Sequence, residues 1–192
     1  MELIFATHNN NKVAEIEPLI PASIKVKTLT EIGITEEIPE TADTIEGNAL
    51  LKVRFVYERL KCNCFADDTG LEVTAINGEP GVYSARYAGE GKSASDNIEK
   101  LLGKLKGVEN RAAKFKTVIA AILDGKEYVF EGVVDGEIAE LKLGQNGFGY
   151  DPVFVPDGFM VSFAQMTIEE KNKISHRGRA VRKFTEFLTE RY

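Results

Sequence analysis

A chain of 192 residues, 43% hydrophobic and 28% charged, has enough apolar surface for one packed core or for two lobes that share one. Its formal charge of −6 argues against a broad electrostatic grip on nucleic acid, and no apolar run reaches the roughly 20 residues of a membrane helix. The opening Met1-Glu2-Leu3-Ile4-Phe5-Ala6 lacks the basic and apolar regions of a secretory leader, so a cytoplasmic location is expected. Cys62 and Cys64 are one residue apart, a spacing that suits neither an ordinary disulfide nor a four-ligand zinc site. Reduced, structural cysteines are expected.

Taken in chain order, residues 3–6 read as a short buried strand that runs into the polar cluster Thr7-His8-Asn9-Asn10-Asn11-Lys12. Val13, Ile16, Leu19 and Ile20 then recur at helical spacing until Pro21 stops the pattern. Residues 24–29 alternate as a second strand. Residues 44–60 form a helix with Ile45, Ala49, Val53 and Val56 on one face. Residues 64–66 are a short strand leading into Asp67-Asp68-Thr69-Gly70, with residues 71–76 extended beyond it. A further amphipathic helix covers 95–105, capped by Ser93 or Ser95. Two strands, 115–123 and 128–134, flank the hairpin signal Asp124-Gly125. Residues 144–151 form a glycine-rich loop before a short strand at 152–155, and a helix from His176 to Arg191 closes the chain. With βαβα first and several strands after, the fold class is α/β, with a mixed, partly antiparallel twisted sheet flanked by helices. No repeat or linker interrupts it, so residues 1–192 are read as a single domain.

Five segments carry chemistry. Thr7-x-Asn9-x-x-Lys12 sits where a strand gives way to a helix, whose unpaired N–H groups suit an anion. It has no glycine, so its side chains rather than its backbone would reach phosphates; taken alone, the segment is better read as a capped helix with an exposed lysine. Asp67-Asp68 puts two carboxylates side by side behind a buried strand, which is costly unless a cation or solvent compensates them. Mg²⁺ would do so while bridging phosphate oxygens, and one aspartate could activate water; a plain Asp/Gly turn is the alternative. Glu36-Glu37-Ile38-Pro39-Glu40 precedes Asp43 and Glu46 at the start of the long helix. The helix dipole accounts for Asp43 and Glu46, which leaves Glu40 as a candidate second metal carboxylate. In residues 144–152 the glycines permit close backbone approach, and Phe148 offers a face for stacking a base or for packing in a core. Finally, Lys171, His176 and Arg177 are donors for a purine carbonyl or a phosphate, with an exposed charged helix as the alternative.

Seven motifs stand in order along the chain. They are Thr7-His8-Asn9-Asn10-Asn11-Lys12, Glu40-Thr41, Glu46-Gly47-Asn48-Ala49-x-x-Lys52, Ala66-Asp67-Asp68-Thr69-Gly70, Pro80-Gly81-Val82-Tyr83-Ser84-Ala85-Arg86-Tyr87, Gly147-Phe148-Gly149-Tyr150-Asp151-Pro152 and Ser175-His176-Arg177. Together they resemble the inosine triphosphate pyrophosphatase family over nearly the whole chain. The resemblance implies two lobes with an active-site cleft between them. It implies a Mg²⁺-dependent hydrolase that cleaves ITP, dITP and XTP to the monophosphate and pyrophosphate, cleansing the nucleotide pool. Thr7, His8, Asn9, Asn10, Asn11 and Lys12 would hold the triphosphate, with Lys52 and Arg86 neutralising phosphate. Glu40 and Asp68 would bind Mg²⁺ with Asp67 sharing that role, and Asp68 would accept the proton of the attacking water. Thr69 would contact substrate, while Phe148, Gly149, Tyr150, Asp151, Lys171, His176 and Arg177 would form the nucleotide pocket. A homodimer is implied, and neither a nucleic-acid nor a membrane partner is expected. Two departures stand out: His8 occupies a position where many members carry glycine, and Gly47 separates Glu46 from Asn48.

Overall fold

In the computed structural model, which describes residues 1–91 and 93–191, the apolar run Leu3-Ile4-Phe5 is the buried part of β1 (Glu2–Phe5). Helix α1 (Asn10–Ile16) follows, and a 3-10 turn containing Pro18 ends it. Strand β2 (Lys25–Thr28) pairs parallel with β1, Glu2 opposite Lys25. Helix α2 (Ile45–Leu60) starts at Thr44, whose hydroxyl accepts from the Gly47 amide at 2.9 Å, satisfying one of the donors a helix start leaves open. Strand β3 (Cys64–Val73) pairs parallel with β1, Phe5 opposite Phe65, and antiparallel with β4 (Pro80–Gly81). Helix α3 (Ala94–Lys104) is capped by Ser93. Strands β5 (Ala112–Leu123) and β6 (Lys126–Ile138) form the hairpin predicted at Asp124-Gly125, and β7 (Phe154–Pro156) pairs antiparallel with β6. Helices α4 (Ile168–Ile174) and α5 (His176–Arg191) complete the chain. Hydrogen bonding orders the strands β2-β1-β3-β5-β6-β7, with β4 on β3, so the predicted mixed sheet is present.

Several elements differ from expectation. The extended run expected over 71–76 gives way to a 3-10 turn at Thr74–Ile76, β6 extends beyond the expected 128–134 at both ends, and α4 was not among the predicted elements. Asp67-Asp68-Thr69-Gly70 is no turn: β3 runs through it without a break, because buried cations compensate both carboxylates. Strand β5 begins earlier than its apolar run, since Ala113 and Phe115 point inward while Lys114 between them stays outside, the alternation of a one-sided strand. Residues 151–153 form a 3-10 turn, which moves the short strand to 154–156.

The chain divides into two compact units. The first contains residues 1–68, 117–132 and the segment from 177 onward. Its core stacks Phe5 on Phe65 with centroids 4.5 Å apart and planes 6° apart, and tilts Phe184 of α5 against Phe65 at 5.1 Å. Ala180, Val181, Phe184 and Leu188 form the buried stripe of α5. The second unit contains residues 69–116 and 133–176. Its core gathers Leu71 and Val73 of β3, Ile98 and Leu101 of α3, and Phe115, Phe154 and Phe163. Among the described residues no helix is long and apolar enough to cross a membrane. Phe184 is fully buried between two aromatic neighbours, so Phe184→Ala is expected to cost about 3–5 kcal/mol in a urea unfolding titration.

Candidate active site

In the first unit, Lys52 lies on the buried face of α2, one turn beyond Asn48. Its ammonium donates to Asp68 Oδ1 at 2.6 Å, to the Asp67 carbonyl at 2.7 Å and to Glu40 Oε1 at 3.1 Å. Lys12 reaches the same place from α1, because the β1–β3 pairing sets the end of β1 beside Asp67. The Lys12 ammonium is 2.9 Å from Asp67 Oδ1. Asp67 Oδ2 accepts from Arg177 Nε at 3.1 Å, and Arg177 Nη1 donates to Glu15. Both oxygens of Asp67 are therefore held by cations, the half-buried Lys12 and the buried Arg177, whereas Asp68 and Glu40 converge on one ammonium.

These contacts push the adjacent carboxyls in opposite directions. Burial opposes ionisation of Asp67, but Lys12, Arg177 and Lys52 outweigh it and hold the group well below the usual carboxylate range. For Asp68 burial wins over Lys52 and Lys12, and the carboxyl moves up. Lys12 is lowered chiefly by burial. Lys52 is raised, because Asp68 and Glu40 together outweigh its burial.

The loop carrying Glu40 is fixed from α2. Asn48, with no exposed surface, accepts the Ala42 amide on Oδ1 at 2.9 Å. Gly47 makes room for that loop: a Cβ there would lie 2.7 Å from the Ala42 Cβ, closer than carbon atoms pack. The glycine that separates Glu46 from Asn48 thus has a steric reason, and Glu46 stays exposed.

The remaining residues of the first motif act locally. Asn9 caps α1, its Oδ1 accepting from the Asn11 and Lys12 amides. Thr7 Oγ1 accepts from the Asn9 amide at 3.1 Å. His8 is exposed, with its ring nitrogens 3.3 Å from Thr30 Oγ1 and 3.1 Å from the Glu36 carbonyl. Asn10 and Asn11 are exposed.

A second cluster lies in the second unit. Asp151 Oδ2 accepts from Lys171 Nζ at 2.5 Å and from the Phe148 amide at 2.9 Å. Gly147 lets the turn close on this carboxylate, since a Cβ there would stand 2.1 Å from Asp151 Oδ2 and φ is +71°. The Lys171 ammonium sits 5.2 Å from the centroid of the half-buried Phe148 ring, within cation–π range. Lys171 is buried rather than on an exposed charged helix, and α4 is held by a capping box between Thr167 and Glu170. His176 is buried and stacks on Phe115 with centroids 4.5 Å apart. Tyr150 donates its hydroxyl to the Ser84 carbonyl at 2.9 Å. Arg86 lies over the Tyr83 ring, its Cζ 5.4 Å from the centroid, and Thr69 and Gly149 are half-buried.

Residues 3–187 match the Ham1 family. The chain belongs to that family. Among its members it is 57% identical over 189 residues to the dITP/XTP pyrophosphatase of Flavobacterium johnsoniae, an alignment that covers 98% of each chain. It is 47% identical to the dITP/XTP pyrophosphatase of Bacillus subtilis, covering 97% of this chain and 96% of that one. The solved structure of the Staphylococcus aureus Ham1 protein superposes with a TM-score of 0.91 at 42% identity, over the full length of both chains.

For this Ham1-family chain the motifs named most of the residues that the fold gathers, but not Glu15, and they gave Asn48 no role. Glu15 follows Lys12 by three positions, on the same side of α1, and is almost wholly buried against Arg177. The available signal was a polar residue at an inward helical position: Arg177 continues the stripe Val181, Phe184 and Leu188, and Asn48 and Lys52 continue Ile45, Ala49 and Val56.

Removing the Asp67 charge leaves the half-buried Lys12 and the buried Arg177 without it. Asp67→Asn is expected to destabilise the chain by about 3 kcal/mol at pH 7 in denaturant titrations. Because the folded-state carboxyl is depressed, its contribution is present above the unfolded value. The difference between the two proteins should therefore shrink as pH falls below about 4.

Proposed function

We propose that this chain hydrolyses non-standard purine nucleoside triphosphates, namely ITP, dITP and XTP, to the monophosphate and pyrophosphate. The observation that carries the reading is the convergence of Glu40, Asp68 and Lys52, beside Lys12, in a chain of the Ham1 family. Its relatives named dITP/XTP pyrophosphatase support the choice of substrate.

The donor set suits a hard cation. Glu40 and Asp68 bring oxygen ligands around one ammonium, and Mg²⁺ commonly takes one or two carboxylates, completing its shell with water and substrate phosphates. Asp67 is given to Lys12 and Arg177 and serves as an anchor, so the proposed metal residues are Glu40 and Asp68. When bound, Mg²⁺ neutralises phosphate charge and polarises the bond to be broken.

The protein's own groups do the rest. Lys12 and Lys52 supply charge to the triphosphate, and the exposed Asn10 and Asn11 add neutral donors. Asp68, raised by burial, takes the proton as water adds across the anhydride between the α- and β-phosphates. In the second unit, Phe148 offers its face to the base and Lys171 a donor. Hypoxanthine and xanthine present a carbonyl at position six. Adenine presents an amino group, which would leave a buried donor unpaired. His176 and Arg177 orient these elements through Phe115, Glu15 and Asp67. The proposed assembly is the homodimer that the family resemblance implies, read directly by sedimentation velocity, and the proposed setting is the cytoplasm.

Pyrophosphate release from ITP and XTP is expected to exceed that from ATP by about 100-fold, on the scale of a buried donor left unpaired, and to exceed that from dTTP as well. EDTA should abolish it. Asp68→Asn should lower kcat by about 10²–10⁴-fold, the usual worth of a general base. Release of single phosphate, or a preference for dTTP, would count against the assignment.

A further inference from the structure

The Lys52 ammonium occupies a particular electrostatic position. Its bonds to Glu40 Oε1 and Asp68 Oδ1 use the two carboxylates that the functional reading gives to the metal, and its third bond goes to the Asp67 carbonyl. A buried ammonium and a divalent cation cannot share two carboxylates at contact distance without strong repulsion. Among the described residues no group of three or more His, Cys, Asp or Glu side chains is placed to hold a metal ion, and Glu40 and Asp68 are the carboxylates that Lys52 binds. The surrounding charges add little attraction. Among the described ion pairs there, Lys12, Lys52 and Arg177 face Glu15, Glu40, Asp67 and Asp68, three positive charges against four negative.

Lys52 also cannot simply withdraw. It is only 6% exposed, and a buried ammonium needs a new anion when it leaves its carboxylates. A triphosphate meets both demands: its oxygens can receive Lys52 and complete the shell of the metal.

We propose that Lys52 is a counter-ion gate that makes divalent-metal binding depend on the nucleotide. Lys52 holds Glu40 and Asp68 together in the free enzyme and passes to a phosphate oxygen when the triphosphate enters, releasing the two carboxylates to the metal. The protein therefore takes its metal with the nucleotide and not before it. This rests on the reading that Glu40 and Asp68 hold the metal.

The test measures Mn²⁺ binding by electron paramagnetic resonance of the free ion, with and without a non-hydrolysable α,β-methylene analogue of ITP. After subtraction of the Mn²⁺ that the analogue binds in protein-free solution, the wild-type chain is expected to bind Mn²⁺ at least about 30-fold more tightly with the analogue, within the usual range of coupling between sites. Lys52→Gln should raise nucleotide-free Mn²⁺ affinity by about 10-fold, while Lys52→Arg, which keeps the charge, should not. Thermal melts confirm that each variant is folded, and the wild-type comparison stands without any variant. Equal wild-type affinity with and without the analogue overturns the gate, as does a folded Lys52→Gln protein with unchanged nucleotide-free affinity. Glu40→Gln separates the two levels: loss of analogue-supported Mn²⁺ binding upholds the metal assignment, and its retention shows that the assignment itself has failed and the gate with it.

Discussion

Asp67 is an ionised carboxylate with no exposed side chain, set in the middle of a strand that packs through Phe65 on one side of it and Leu71 on the other. Such a group would be costly on its own. It is tolerated because three elements distant in sequence each send a cation to it: Lys12 from α1, Lys52 from α2 and Arg177 from the start of α5. The rest of the first unit follows from this requirement. Glu15 balances Arg177, so the guanidinium is not left with a single partner, and burial of the pair is matched by its charges. Helix α5 must begin where Arg177 can reach Asp67, and its stripe of Val181, Phe184 and Leu188 secures that position by packing rather than by charge.

With Asp67 anchored, its neighbour is left with a different role. Asp68 points into the company of Lys52 and Glu40, and burial moves its carboxyl up while Asp67 is held down. Two adjacent residues of one type thus meet different partners according to which face of β3 they occupy, since successive strand side chains point to opposite sides. The loop bearing Glu40 has no regular structure of its own, so Asn48 and Gly47 supply the order it lacks. In the second unit the same economy appears on a smaller scale: one carboxylate, Asp151, ties the glycine turn to Lys171 and places that ammonium near the Phe148 ring.

Much of the fold was legible from pattern. Helix α2 and its Thr44 boundary, the hairpin at Asp124-Gly125, and the final helix from His176 all followed from apolar period and turn chemistry. Strand β3 was the instructive exception. Read locally, Asp67-Asp68-Thr69-Gly70 has the composition of a turn; it is a strand because the charges that compensate it come from residues 12, 52 and 177. Lys171 was open to reading as solvated for a similar reason, since its burial depends on Asp151, twenty positions earlier.

The sequence by itself determined the elements with a strong period, the set of polar residues in the seven motifs, and the family to which they point, because period, caps and motif order are properties of neighbours along the chain. Only the tertiary structure decided that Lys12 and Arg177 hold Asp67 while Lys52 binds Asp68, and that Glu15 and Asn48 belong to the supporting network. Those outcomes depend on which distant cation comes within about 3 Å of which oxygen, and at that range the interaction of buried charges outweighs any local preference.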